Sequence, residues 1–168
     1  MKTNLLLSMM TLLAAAMPSQ ASDNVILQVQ MKGKHTAHSG NDSAEKHQRW
    51  LEISASGMSM AAPRSVTIQW HFFADDLAAD QVVDHAKGSE TLNLQPGRPM
   101  EFKTQEVVFS YVREHAERSS SSRRRAVYKR VEATGKRYHG WAVQAVIDGR
   151  TVGEAYSSRD IESRMKTP

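Results

Sequence analysis

The amino-acid sequence predicts an all-β protein: a single immunoglobulin-like antiparallel β-sandwich of about seven strands, with a small β-barrel as the alternative. Three observations predict this class. Short runs of β-branched and aromatic residues alternate with turn clusters along the chain. No long segment shows helical periodicity. The dipeptide Asp148-Gly149 stands between two extended runs, which is the strongest short hairpin signal in the chain.

The first part of the chain contains two predicted strands and two predicted loops. Alternation of Val25, Leu27 and Val29 with neighbouring residues is typical of a strand. We predict strands at Asn24–Lys32 and Arg49–Ser54, a polar loop at Gly33–Ser43, and a second loop at Gly57–Pro63 that carries Met58 and Met60.

The third predicted strand, Val66–Phe73, has the strongest pattern. Its alternating residues share one face, whereas His71 and Phe73 point to the other. The residues of the shared face are Val66, Ile68, Trp70 and Phe72. Because the chain has no cysteine, Trp70 is expected to be the central core aromatic without a disulfide to pack on.

The middle of the chain is predicted to be less regular. Asp75–Asp84 is expected to form a short helical turn or a loop, in which Asp76 accepts hydrogen bonds from the next backbone amides. A short strand at Glu90–Leu94 ends at the turn dipeptide Pro96-Gly97, and a strand at Met100–Val112 follows. Its apolar residues on one face are Val107, Phe109 and Tyr111.

The last part of the chain contains a predicted hairpin. Tyr138–Ile147 and Thr151–Tyr156 are its strands, and Asp148-Gly149 is expected to form a type I′ turn with positive φ at both positions. The core-facing residues of the first strand are Trp141, Val143, Ala145 and Ile147. A last short segment is expected at Arg159–Met165.

The N-terminus has the features of a secretory signal peptide. Lys2 provides a positive charge, Leu5–Met17 is almost entirely apolar, and Ser19 and Ala21 are the small residues of a cleavage site. The apolar run is shorter than the roughly 20 residues that span a bilayer. We therefore expect residues 1–21 to be cleaved and 22–168 to form one exported domain without a transmembrane segment, periplasmic or extracellular. An exported chain without cysteine relies on its core instead of disulfides.

The segment Tyr138–Arg150 carries a resemblance. Its aromatic-Gly-aromatic opening leads a strand into the Asp148-Gly149 turn, and Ala155 and Ser157-Ser158 follow. This segment resembles the closing hairpin of small exported proteins of Verrucomicrobia-type bacteria. The resemblance implies an immunoglobulin-like sandwich and a pilus-associated role, and it implies no catalytic residues. Since the apolar stretch is predicted to be removed with the signal, the mature chain is not expected to be a major pilin.

Three histidines are candidate metal ligands. His35 and His38 lie in the first predicted loop and His47 follows nine residues after His38. Imidazoles in such a group can bind zinc or copper. Gly33 and Gly40 disfavour a helix, and no known metalloenzyme motif is present. We interpret the three residues as solvated loop histidines.

Carboxylates and serines provide weaker candidates. Asp75, Asp76 and Asp80 are close in sequence and can serve as paired carboxylates or hold Ca²⁺, but their spacing is not that of an EF-hand. Ser39 near His38 and Asp42 lacks the Gly-x-Ser-x-Gly context of a hydrolase nucleophile. We therefore expect no catalytic residue, no metal, no cofactor and no enzymatic activity.

A basic segment is the strongest candidate for binding. Between Arg113 and Arg137 the sequence has nine Arg or Lys and three Glu, although the formal charge of the full chain is only +4. Guanidinium groups bind phosphate and sulfate, and Tyr128 and Tyr138 can stack on bases or sugars. The alternative is a solvated hairpin loop. The predicted partner-binding residues are Arg118, Arg123, Arg124, Arg125, Lys129, Arg130, Lys136 and Arg137.

These patterns predict a function in molecular interaction. We expect an exported, non-enzymatic interaction or structural module of the bacterial cell envelope or exterior, with an envelope or extracellular protein as partner. The alternative is a polyanion or glycan binding protein that uses the 113–137 segment, with lipopolysaccharide, a sulfated glycan or DNA as partner.

Overall fold

The computed structural model describes residues 23–36, 44–119 and 127–166. Within these ranges the chain forms ten strands and one helix. They are β1 (Val25–Thr36), β2 (Ala44–Gly57), β3 (Arg64–Asp76), β4 (Gln81–Leu94), β5 (Met100–Lys103), β6 (Val107–Val112), β7 (His115–Ser119), β8 (Val127–Val131), β9 (Thr134–Ile147), β10 (Arg150–Tyr156) and α1 (Arg159–Lys166). The predicted signal peptide lies outside the described residues.

The strands form an antiparallel sandwich. In one sheet, β2 pairs with β1 on one side and with β5 and β6 on the other. In the second sheet, β3 lies between β4 and β9, and β10 pairs with β9. The first residues of β9 also pair with β6, so one strand joins the two sheets at a corner. The prediction of an all-β sandwich is confirmed, and the sheets do not close into the alternative barrel.

The core lies between the two sheets and contains the residues that the alternation predicts. The four residues of the shared face of β3 are buried, and Trp70 lies 5.8 Å from the Phe102 ring, centroid to centroid. On β9, Val143, Ala145 and Ile147 are buried, and Trp141 packs against the same cluster. On both strands, residues that face the core therefore alternate with residues that do not, as the sequence pattern predicted.

The first two strands are longer than predicted. β1 continues through Gly33–Thr36, and β2 begins at Ala44, so part of the predicted polar loop is a regular ladder with β2. The reason lies in burial: these strand ends extend beyond the buried Leu51 and Ile53, where apolar residues are not required. The alternation signal is therefore lost although the backbone pairing continues.

The segment Asp75–Asp84 is a hairpin and not a helical turn. Asp76 pairs with Gln81 across the turn, and β4 runs on to Leu94, so the predicted Glu90–Leu94 strand is only its end. Asp76 Oδ1 accepts hydrogen bonds from the amides of Ala78 and Ala79, as expected of a cap. That side-chain contact occurs in hairpin turns as well as at helix starts, so it did not discriminate between them.

The predicted Met100–Val112 strand is divided at Thr104. The Thr104 amide donates to the Leu51 carbonyl at 3.0 Å, and the Leu51 amide donates to Thr104 Oγ1 at 2.9 Å. The pairing register with β2 shifts by one residue between β5 and β6, which is a bulge. Buried Thr104 thus holds both halves on the same partner strand.

Two further bulges each contain a histidine as the extra residue, one in β4 and one in β9. In β4, His85 is the extra residue where the register with β3 shifts, and its Nε2 lies 3.0 Å from the Val108 carbonyl oxygen. In β9, His139 is the extra residue opposite Phe73 and Ala74. Bulges re-aim a side chain, and both histidines consequently contact other elements.

Helix α1 covers the outer face of the second sheet. Ile161 is fully buried and packs with Phe73 and Ala142, so the predicted last segment is a helix with a packing role. Ser158 begins it, since its Oγ accepts from the Ile161 amide at 3.4 Å. Phe73, expected to point away from the main core, is buried beneath this helix.

Replacement of Ile161 by alanine is expected to lower the free energy of unfolding by about 2–5 kcal/mol, because Ile161 is the one buried side chain of α1. Chemical denaturation measures the change. Arg159→Ala, at an exposed position of the same helix, is the control and is expected to change stability by less than about 0.5 kcal/mol. Equal losses for the two variants would mean that α1 does not stabilise the sheet.

Candidate functional site

The basic segment contains a separate two-stranded hairpin. The chain leaves β6 at Val112 and returns to β9 at Thr134, and these two residues pair with each other. Between them, β7 and β8 form a ladder of their own and pair with none of the other described strands. We call β7 and β8 the basic hairpin. It extends from the corner where the two sheets meet.

The ladder of the basic hairpin separates its side chains into two faces. Arg118 pairs with Tyr128, and Ala116 pairs with Arg130, so both arginines and the tyrosine share one face. Glu117 and Lys129 are opposite each other on the second face. Arg118, Lys129 and Arg130 are exposed, and the Tyr128 residue is 63% exposed.

Arg130 is partly neutralised within the protein. Its Nε lies 2.6 Å from Glu114 Oε1, and this contact raises the pKa of Arg130 and lowers the pKa of the Glu114 carboxyl. Among the described residues, Arg118 and Lys129 have no ion-pair partner. These two cations are therefore exposed and unpaired within the part of the chain that the structure describes.

The remaining predicted contact residues lie elsewhere. Arg137 donates from Nε and Nη2 to Asp75 Oδ2, at 3.1 and 3.0 Å. Lys136 pairs in the ladder with Asp76, so both cations of β9 lie beside the acidic end of β3 and not on the basic hairpin. Arg123, Arg124 and Arg125 lie outside the described residues, although the sequence places them between β7 and β8.

Tyr138 does not have the exposed position expected of a stacking residue. Its ring meets the buried Phe109 ring edge-on at 5.4 Å, and the Arg49 guanidinium carbon lies 5.7 Å from the centroid of the Tyr138 ring. Burial raises the pKa of Tyr138 to about 12. Only Tyr128 of the two candidate tyrosines therefore remains available on the surface.

Of the acidic candidates, Asp75 forms the most contacts within the protein. Asp75 Oδ1 contacts His139 Nδ1 at 2.7 Å, and His139 Nε2 contacts Asp160 Oδ2 at 3.2 Å. Arg164 also donates to Asp160 Oδ2 at 3.0 Å, and this bond, with the one from His139, lowers the pKa of the Asp160 carboxyl. This network connects α1 to β3 and β9 through Asp75, His139 and Asp160.

The histidine candidates are arranged differently from the prediction. His35 and His47 are not loop residues but direct partners across the β1–β2 ladder, with ring centroids 4.6 Å apart. Glu45 lies two residues before His47 on the same face, and its Oε2 is 3.3 Å from His47 Nε2. His38, and the Ser39 and Asp42 near it, lie outside the described residues.

Glu45 and Tyr111, which lie beside the His35–His47 pair, were not identified as candidate site residues from the sequence. Tyr111 donates its hydroxyl to Glu45 Oε2 at 2.7 Å, and its ring stacks on His47 at 5.8 Å with an interplanar angle of 6°. The Tyr111 hydrogen bond is the largest cause that lowers the pKa of Glu45. The spacing of Glu45 and His47 was a usable signal, because alternate residues of a strand share a face.

The comparisons with known proteins are distant. No protein-family model and no curated protein sequence matches the chain. A protein of Bacteroides fragilis described provisionally as a beta-galactosidase has a TM-score of 0.45 and 12% identity, and the alignment covers 79% of this chain but 17% of that one. A protein of Akkermansia muciniphila has a TM-score of 0.40 and 13% identity over 86% of this chain and 77% of its own.

In the described part of the chain, no helix combines the length and apolarity needed to cross a bilayer.

Proposed function

We propose that the protein is an exported, non-enzymatic interaction module of the bacterial cell envelope or exterior, and that the basic hairpin is its contact surface. One observation carries the proposal. The basic hairpin projects from the sandwich without pairing to its other described strands, and its cationic side chains are exposed. Arg118 and the exposed Tyr128 lie opposite each other on one face of it.

The chemistry of this surface favours an anionic partner. Arg118 and Lys129 supply exposed positive charge, and Tyr128 supplies an exposed aromatic face beside Arg118 and Arg130. Acidic patches of an envelope or extracellular protein fit such a surface through charge-assisted hydrogen bonds. A pilus association is a finer form of the proposal that rests on the resemblance of the Tyr138–Arg150 segment alone.

A specific observation favours a second candidate, the binding of a polyanion such as lipopolysaccharide, a sulfated glycan or DNA. An exposed tyrosine flanked by guanidinium groups can stack on a sugar or a base while the cations contact phosphate or sulfate. The sequence adds three arginines, Arg123, Arg124 and Arg125, between β7 and β8.

Removal of cations from the basic hairpin, or from the segment between its two strands, is expected to reduce retention on heparin. Each cation removed from the contact lowers the number of counterions that binding releases from heparin. The variant R118S/K129S/R130S is expected to elute at a clearly lower salt concentration than the wild type, and R123S/R124S/R125S is expected to do the same. The measurement is the elution position in a salt gradient.

The matched control variant also removes three positive charges, but from positions outside the basic hairpin. K87S/R98S/R150S loses three exposed cations outside the basic hairpin. It is expected to elute close to the wild type. If the control and the hairpin variants elute together, net charge alone governs retention and the basic hairpin is not a contact surface.

Affinity capture from envelope and culture fractions distinguishes the two partner classes. A specific protein that stays bound at low and high salt supports the protein partner. Recovery of only nucleic acid, lipopolysaccharide or glycan, lost at high salt, supports the polyanion.

A further inference from the structure

We propose that His35, Glu45 and His47 bind a divalent transition metal of the zinc or copper class. The three side chains lie at the end of the β1–β2 ladder, on the core-facing side and beyond the last buried residues of these two strands. This site is independent of the basic hairpin and of the proposed partner.

The strand geometry brings the three ligands together. His35 and His47 are direct cross-strand partners, and residues so paired have neighbouring side chains on one face. Glu45 occupies the same face because it lies two positions before His47 on β2. The candidate ligand atoms of the three residues all lie within 4.8 Å of one another.

The distances suit a metal ion after small movements. Two ligand atoms bound tetrahedrally at about 2.0–2.1 Å from zinc lie about 3.3 Å apart. His47 Nε2 and Glu45 Oε2 already have this separation, at 3.3 Å. His35 is exposed, so its imidazole can rotate toward the other two ligands without disturbing the core.

The donor set selects the class of metal. Imidazole nitrogen suits zinc and copper, whereas calcium and magnesium prefer sites made of oxygen. Two histidines and one carboxylate leave a fourth coordination position to water or another ligand. The partial exposure of all three residues provides an entry path for the ion.

The surroundings hold the carboxylate in place. Tyr111 donates to Glu45 Oε2, and Arg113 Nε lies 2.6 Å from Glu45 Oε1. Partners of this kind orient the ligands of known metal sites. The Tyr111 ring also stacks on the His47 imidazole, with an interplanar angle of 6°.

The test is metal titration of the untagged protein, expressed from its full sequence and stripped with chelator. Calorimetry is expected to show one Zn²⁺ or Cu²⁺ ion bound per chain, and added metal is expected to raise the melting temperature. Ca²⁺ and Mg²⁺ are expected to cause no shift. His35→Ala and His47→Ala are each expected to weaken binding by at least about 10-fold.

The control is His71→Ala, since His71 lies beside one carboxylate, Asp84, at 3.1 Å. This variant is expected to bind metal like the wild type. Melting curves in chelator show whether each variant still folds, so lost binding is not confused with unfolding. Absence of saturable binding to the wild type, or wild-type affinity in H35A/H47A, would overturn the proposal.

Discussion

Replacement of Phe109 by alanine is expected to lower the free energy of unfolding by about 3–5 kcal/mol. Phe109 lies on β6 and is fully buried. Its ring meets Phe72 of β3 edge-on at 6.1 Å and Tyr138 of β9 at 5.4 Å, so it joins the first sheet to the second. The bulged His85 of β4 adds a contact at 4.7 Å. The truncation leaves a cavity where all these elements meet.

Denaturant titration measures this loss as a shift of the midpoint at unchanged slope. The neighbouring Val108→Ala is the control, because Val108 is 47% exposed on the outer face of the same strand. Its expected effect is within about 0.5 kcal/mol. Comparable losses at positions 108 and 109 would show that the two sheets are not held together through Phe109.

Gly135→Ala is expected to destabilise the protein by more than the about 1–3 kcal/mol that an unfavourable backbone conformation alone costs. Gly135 has a φ of +92° where β9 pairs with β6. A β-carbon there would contact the Ser110 carbonyl oxygen and approach Tyr111 Cα to 2.8 Å. Because both neighbours are backbone, neither can move away without breaking the corner between the sheets.

The Asp148-Gly149 turn supplies a matched comparison for Gly135. Gly149 has a φ of +77°, and a β-carbon there would meet nothing within 4 Å. Gly149→Ala therefore carries the conformational cost without the clash, and its midpoint shift in denaturant is expected to be the smaller of the two. A Gly135→Ala shift no larger than that of Gly149→Ala would mean that the corner adapts to the added carbon.

The parts of the fold that sequence reasoning predicts well are those where burial acts on alternate residues. Val66, Ile68, Trp70 and Phe72 needed only the pattern of one strand, and Asp148-Gly149 needed only turn chemistry. Asp148 and Gly149 both have positive φ, which confirms the predicted turn.

The errors arise where neighbouring strands decide the structure. The division of Met100–Val112 depends on Thr104 and its two hydrogen bonds to Leu51, and no local pattern contains that partner. The polar ends of β1 and β2 resemble a loop, because pairing continues there after burial has ended.

In the candidate sites, too, single segments reveal the residue types, whereas the contacts depend on the pairing of strands. The charge of the 113–137 segment is visible in the sequence, but the engagement of Arg137 by Asp75 depends on the β3–β9 register. Likewise, the pairing of His35 with His47 required the β1–β2 register, which no single segment encodes. Residue types were therefore predictable and their neighbours were not.

The bulge in β4 has a consequence for self-association. β4 pairs with β3 alone among the described strands, so its other side is an edge that could template a strand of a second molecule. His85 interrupts that edge and turns toward the Val108 carbonyl, and Lys87 and Glu90 add charges beyond it. An incoming strand cannot keep its hydrogen bonds in register past the interruption. The edge thereby resists the strand-by-strand stacking through which exposed sheets aggregate.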